Sequence, residues 1–163
     1  PNECRAVAAV CGGEVLRDVS FETFIAKLPE CRKQCGDRAV LRAFHIYADN
    51  DRVAKQVTAL REGDFTAFLN LVGESGQSSW EYLQNVIPAG YKEHQEVAVT
   101  IAAAKHFLGG KGAVRVHGGG FAGTVQAFVP VELLAGFKAS MEAILGEGRC
   151  HVLSIRPEGG AVL

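Results

Sequence analysis

Residues 114–130, VRVHGGGFAGTVQAFVP, hold the strongest claim to chemistry in this chain. Gly118, Gly120 and Gly123 spell G-x-G-x-x-G, and Gly119 completes a run of three. Arg115 and His117 stand just before the run and Phe121 within the loop. Glycines in this pattern can hold a dinucleotide, cradle a nucleotide phosphate, or turn a hairpin. The dinucleotide grip requires them to join a strand to a helix, because the helix N-terminus holds the pyrophosphate. TVQAFVP follows instead, β-branched, alternating and ended by proline, so it reads as a strand. Glu142 lies about twenty residues on but within a helical pattern, which denies it the ribose-binding role. A Walker loop wants Lys and then Ser/Thr after its glycines, and Gly123 is followed directly by Thr124. What remains is strand, glycine loop, strand. Three successive glycines exceed the need of a tight turn. Their missing side chains let a ligand or another segment approach the backbone. The bland alternative is a floppy hairpin, against which Phe121 argues mildly, because a large apolar tip residue is usually covered.

The elements that must position this loop follow from periodicity. Val114 and Val116 face one way, Arg115 and His117 the other. Val125, Ala127 and Val129 alternate in the same manner with Thr124, Gln126 and Phe128. Upstream the pattern is helical. Residues 2–12 read as a short helix closed by Gly12-Gly13. Ser20 caps a second, FETFIAKL, which Pro29 ends. A third stretch runs from about 31 to 60, with Ile46, Val53, Val57 and Leu60 near 3.6 spacing. Gly63 closes it and Asp64 caps the next, whose apolar face is Phe65, Phe68, Leu69 and Val72. A long helix spans about 92–108, with Val97, Ile101, Ala104 and Leu108 in line. After Pro130 a helix covers about 131–145, carrying Leu134, Phe137, Met141 and Leu145, and CHVLSIRP reads as a last strand. Helices first and then β-β-α-β predicts an α+β domain, an antiparallel sheet with a ferredoxin-like core covered by several helices.

The bulk numbers bound the function. A chain of 163 residues suits a single domain, 1–163, and needs no disulfide or metal to fold. A net charge of −1 gives no electrostatic case for nucleic acid or a membrane surface. Apolar runs fall short of the roughly 20 residues that span a bilayer. Five cysteines, an odd and irregular set, predict buried or half-buried thiols in a cytoplasmic protein. Cys31, Cys35 and His45 lack the spacing of a metal site, and none is expected. The chain opens Pro-Asn-Glu-Cys, without an initiator Met or the order of a signal peptide, so a piece of a longer protein is expected. His45 reads as structural. Trp80 and Tyr82 read as core or interface rather than a sugar platform. Asp49 and Arg52 read as an i,i+3 pair of little worth.

Residues 112–123, GAVRVHGGGFAG, resemble the third motif of galactokinases in the GHMP kinase superfamily, G-A-R-[MF]-T-G-G-G-F-G-G-C. LRDVSFETF at 16–24 is similar to L-R-D-V-[ST]-x-E-x-[FL]. Arg42-Ala-Phe-His45 with Asp49-Asn50-Asp51-Arg52-Val53 resembles R-[AC]-x-H-V-V-x-E-N-x-R-V. Residues 60–65, LREGDF, match A-L-x-x-G-D-[FL], and Glu74-Ser75 opens like E-S-H-x-S-L. The resemblance runs across almost the whole chain. It implies a GHMP-type C-terminal fold from an enzyme that moves the γ-phosphoryl group of Mg-ATP to the anomeric hydroxyl of galactose. It also implies that the phosphate loop, catalytic Asp, neighbouring Arg and a sugar-contacting Tyr lie in an N-terminal domain outside this sequence. That domain would be the partner of this one, and the face that meets it is expected to be exposed and able to self-associate.

On this reading the chain holds no catalytic residue, binds neither ATP nor Mg by itself, and is inactive alone. Arg115, His117, Gly118, Gly119, Gly120, Phe121 and Gly123 would abut the phosphate site. The family Thr is His117 here, the second closing Gly is Ala122, and the family His is Gly76. These departures leave open an ordinary galactokinase, a related sugar kinase, or a non-catalytic sugar- and ATP-sensing or anion-binding module. A self-contained fold that dimerises through its sheet is the weakest reading.

Overall fold

The computed structural model describes residues 2–120 and 123–155. Seven α-helices and two strands occur among them. They are α1 (Asn2–Val10), α2 (Phe21–Ala26), α3 (Leu28–Cys35), α4 (Asp37–Glu62), α5 (Phe65–Ser78), α6 (Glu96–Leu108), β1 (Ala113–Val116), β2 (Val125–Phe128) and α7 (Leu134–Leu145). The domain is α+β but mostly helical.

Local chemistry sets most boundaries. The Ser20 hydroxyl accepts the Thr23 N–H at 3.1 Å and starts α2. The Asp64 carboxylate accepts the Ala67 N–H at 2.8 Å and starts α5. Contrary to expectation, Pro29 does not end the second helix; α2 stops at Ala26, and Pro29 sits in the first turn of α3, where a missing N–H costs nothing. The single helix expected over 31–60 is two. Gly36 breaks it with φ 83°, a left-handed backbone that only glycine adopts freely.

The motif at 16–24 is scaffolding. The Asp18 carboxylate accepts the N–H groups of Glu14 and Val15 at 3.2 and 3.1 Å. Tyr47 on α4 donates to the Val19 carbonyl at 2.9 Å. Phe24 is fully buried, its ring 4.9 Å from Phe44 and 5.3 Å from Tyr47. Val7, Ala8, Leu16, Val19, Cys31, Ala39, Val40 and Ala43 complete this first core. α4 therefore buries small residues near its N-terminal end. Of its expected apolar face only Ile46 packs against the core; Val53, Val57 and Leu60 are 54%, 41% and 52% exposed. Periodicity says which side of a helix is apolar, not whether anything covers it.

A second core lies under the hairpin. Val97, Ile101, Ala104 and Leu108 of α6 are all buried, as the spacing predicted, against Val86, Val114, Val116 and Met141. β1 and β2 pair antiparallel, with Val116 opposite Val125 and Ala113 opposite Phe128. The third strand does not form. Residues 150–155 pair with nothing in a sheet, and Leu153 and Ile155 are 87% and 88% exposed. Among the described residues the sheet has two strands, so the ferredoxin-like core is absent there. An alternating pattern permits a strand, but a strand needs a neighbour to take its hydrogen bonds. No described helix is long and apolar enough to cross a membrane.

Candidate glycine-loop site

The hairpin presents the glycines as the alternation predicted. The His117 N–H donates to the Thr124 carbonyl at 2.9 Å, closing the ladder just beyond β1 and β2. Gly118, Gly120 and Gly123 have φ of 64°, 74° and 85°. His117, Gly118 and Gly119 are exposed. Phe121 lies outside the described residues. The three consecutive glycines differ in what they need. At Gly120 a Cβ would collide with the carbonyl oxygen of Asn85 and come within 2.8 Å of the Asn85 Cβ. At Gly118 only the backbone angle demands glycine, because the space beside it is open. At Gly119 neither demand exists: its φ is not left-handed and, among the described residues, a Cβ would meet nothing within 4 Å.

Arg115 is held from behind. Its side chain turns to α5 and the turn after it, where Nη1 donates to Ser75 Oγ at 2.5 Å and Nη2 to Ser79 Oγ at 3.4 Å. Its Nε donates to the Val116 carbonyl at 3.0 Å. The Ser75 hydroxyl donates to Asp49 Oδ1 at 2.6 Å, and Arg52 Nη1 donates to the same oxygen at 3.1 Å. His45 Nδ1 lies 3.0 Å from Ser78 Oγ, and its Nε2 lies 3.8 Å from Asp49 Oδ2. Asp49 is thus the junction of a half-buried network that ties β1 to α4 and α5. Its members recur at helical spacing: 45, 49 and 52 on α4, 75 and 78 on α5.

The electrostatics suit a neutral His45. Burial pushes its pKa below the ordinary imidazole value; Asp49 opposes this, and the Arg52 and Arg115 guanidiniums reinforce it. Glu3, by contrast, is held below the ordinary carboxylate value. Burial works to raise it, and the Arg38 and Arg42 guanidiniums outweigh that. Arg42 pairs with Glu3 and also donates Nε to the Leu83 carbonyl at 3.2 Å. It thereby pins the π-helical turn Ser79–Leu83.

Sequence reasoning singled out the loop and Arg115 but missed the serines and Asn85. The signal for Ser75 and Ser78 was their i,i+3 spacing on one face of α5; Asn85, beyond the helix, carried no such signal. His45 is structural, as read, and the Asp49–Arg52 pair belongs to the network rather than to a solvated face. Gly76, where the family pattern has His, lies against β1; a Cβ there would stand 2.8 Å from the Arg115 Cβ and 3.2 Å from the Val114 carbonyl. Close packing of α5 on β1 therefore requires glycine. Trp80 and Tyr82 are not core: each is over a third exposed. Trp80 lines a half-open cleft of about 450 Å³ with Gln77, Lys105 and Arg115. The thiols are as predicted, Cys31 buried and the other four half-buried. Among the described residues no three His, Cys, Asp or Glu side chains gather closely enough to hold a metal ion.

No protein-family model matches the chain. Curated relatives do. The chain is 34% identical over 131 residues to the galactokinase of Mannheimia succiniciproducens, a match covering 80% of the chain and 32% of that protein. It is 35% identical over 131 residues to the galactokinase of Glaesserella parasuis and 33% to that of Actinobacillus pleuropneumoniae, with the same coverage. The chain spans about a third of the length of the curated relatives it matches. With its glycine hairpin braced by α4 and α5, the chain is a galactokinase-like domain.

Proposed function

We propose that this chain is the C-terminal portion of a sugar kinase that phosphorylates the anomeric hydroxyl of galactose. Its loop 118–123 abuts the nucleotide phosphates in that reading. Gly119 carries the proposal: it is exposed, has open space around it and needs no special backbone angle, so nothing within the described residues requires a glycine. A glycine that the chain's own packing does not need fits close approach by an outside group. The residues present fit phosphate oxygens, because exposed main-chain N–H groups beside left-handed glycines form anion-binding concavities. Mg-ATP, where bound, supplies the phosphoryl group and the charge neutralisation of its transfer.

The chain's own contribution is positioning. Arg115 acts as a strut from β1 to Ser75 and Ser79 rather than as a phosphate ligand, and His117 takes the exposed place beside the loop. The GHMP-type C-terminal fold would be completed by contacts outside the described residues. The exposed Val53, Val57 and Leu60 stripe fits a face that meets a further domain.

The test couples ADP release to a panel of hexoses, using the longer protein that contains this chain. Turnover with galactose, and its loss in Gly119→Ala at unchanged stability, is expected. A protein that binds ATP and sugar without turnover would instead make it a sensor. Galactose phosphorylation by the isolated chain at a comparable rate would refute the division of labour proposed for it.

A further inference from the structure

Among the described residues, buried side-chain nitrogen and oxygen atoms without a hydrogen-bond partner occur only at Asn85, which is 2% exposed. Both its Nδ2 and its Oδ1 lack partners. An unpaired buried amide is a net cost to folding, so each instance needs an account.

Three further observations converge on this residue. The chain reaches it through the π-helical turn Ser79–Leu83, a form that concentrates at functional sites. Gln84, with φ 55°, is the only non-glycine residue with positive φ among the described residues. That conformation is costly for a side-chain-bearing residue and persists only where its surroundings over-determine it. Here they do: the Gln84 N–H donates to the Ser79 carbonyl at 2.8 Å, and Arg42 grips the Leu83 carbonyl. Finally, the main chain of Asn85 lies so close beneath Gly120 that no Cβ fits there. The strained segment thus sets the main chain and Cβ of Asn85 against Gly120, at the root of a buried carboxamide with no partner.

A carboxamide is the side-chain group that most resembles a peptide unit, with donors and an acceptor on one plane. It can satisfy both an N–H and a C=O of the glycine run 118–120, which has no side chains of its own. We propose that Asn85 is a positioning residue of the glycine loop, whose carboxamide completes its hydrogen bonds with the loop main chain when a phosphate-bearing ligand occupies the site. The inference rests on the reading of loop 118–123 as abutting nucleotide phosphate. A bond made only in the ligand-occupied state contributes to nucleotide use and not to the stability of the free protein.

The experiment uses the longer protein, with initial rates in Mg-ATP and galactose and thermal melting without ligand. Asn85→Leu removes the unpaired polar atoms and keeps the same branching and heavy-atom count, so it should melt no lower than the parent. Its kcat/KM for ATP should fall about tenfold, the effect of losing one such hydrogen bond, with KM for galactose unchanged. Asn85→Ala should melt lower and show the same kinetic loss, which keeps the test open if leucine does not fold. A parent-like kcat/KM for ATP in both variants would overturn the inference alone. A parent protein that turns over no hexose would overturn the kinase reading and the inference with it.

Discussion

Adding one methyl group at Gly120 should do what adding it at Gly119 does not. At Gly120 φ is 74°, and a left-handed backbone costs a residue bearing a Cβ about 1–2 kcal/mol. The new Cβ would also overlap the Asn85 carbonyl oxygen and stand 2.8 Å from the Asn85 Cβ. The obstacle is mostly main chain, so a flexible side-chain end cannot simply swing aside; overpacking of this kind costs about 1–3 kcal/mol. Against this, alanine restricts the unfolded chain and returns about 0.4–1 kcal/mol. The net loss for Gly120→Ala is therefore about 1–5 kcal/mol. Gly119→Ala meets no atom of the described residues and no left-handed angle, so it should lie between neutral and about 1 kcal/mol more stable. Urea unfolding of the two variants beside the parent, followed by circular dichroism with a shared m-value, reads the difference directly. Equal midpoints for the two variants would refute the claim that Asn85 supports the loop from below at Gly120.

Other outcomes follow from the same geometry. Asp49→Ala removes the shared acceptor of Ser75 and Arg52, leaving half-buried donors unpaired, and should cost about 1–3 kcal/mol by urea unfolding. Asp49→Asn, which keeps an acceptor oxygen, should cost less. His45 has a lowered folded pKa, so the unfolded chain binds its proton more readily. The stability it contributes is complete above the unfolded value of about 6.5 and is lost as pH falls toward the lower folded value. The melting temperature should drop as pH falls below about 6.5, and His45→Gln should flatten that drop. Asp64→Ala deletes the α5 cap and should cost about 1 kcal/mol, measured as a shift in urea midpoint.

How much was legible depends on the range of the interaction. Ser20 and Asp64 announce helices because their partners lie three residues away, within the same turn. The hairpin was legible because alternation and the glycine run are both local, and its register follows from the pairing across that loop. α6 was legible because its buried stripe, Val97 to Leu108, is continuous and uninterrupted. The single helix over 31–60 was misread at Gly36, where helical spacing continues on both sides of a break that one backbone angle makes. Val53, Val57 and Leu60 have the spacing of a core face and lie exposed, since burial depends on what stands opposite. The strand expected after Cys150 failed for the same reason.

By itself, then, the sequence determined the glycine hairpin, the helix caps and the resemblance to galactokinases, because each is written in neighbouring residues or a contiguous motif. Only the tertiary structure decided what the loop rests on. Ser75 and Arg115 are separated by 40 positions and share a hydrogen bond of 2.5 Å, while Asn85 and Gly120 touch through main chain. Such partners have no fixed spacing along the chain. They meet because α5 packs close against β1 at Gly76, and the strained turn after α5 carries Asn85 beneath the loop.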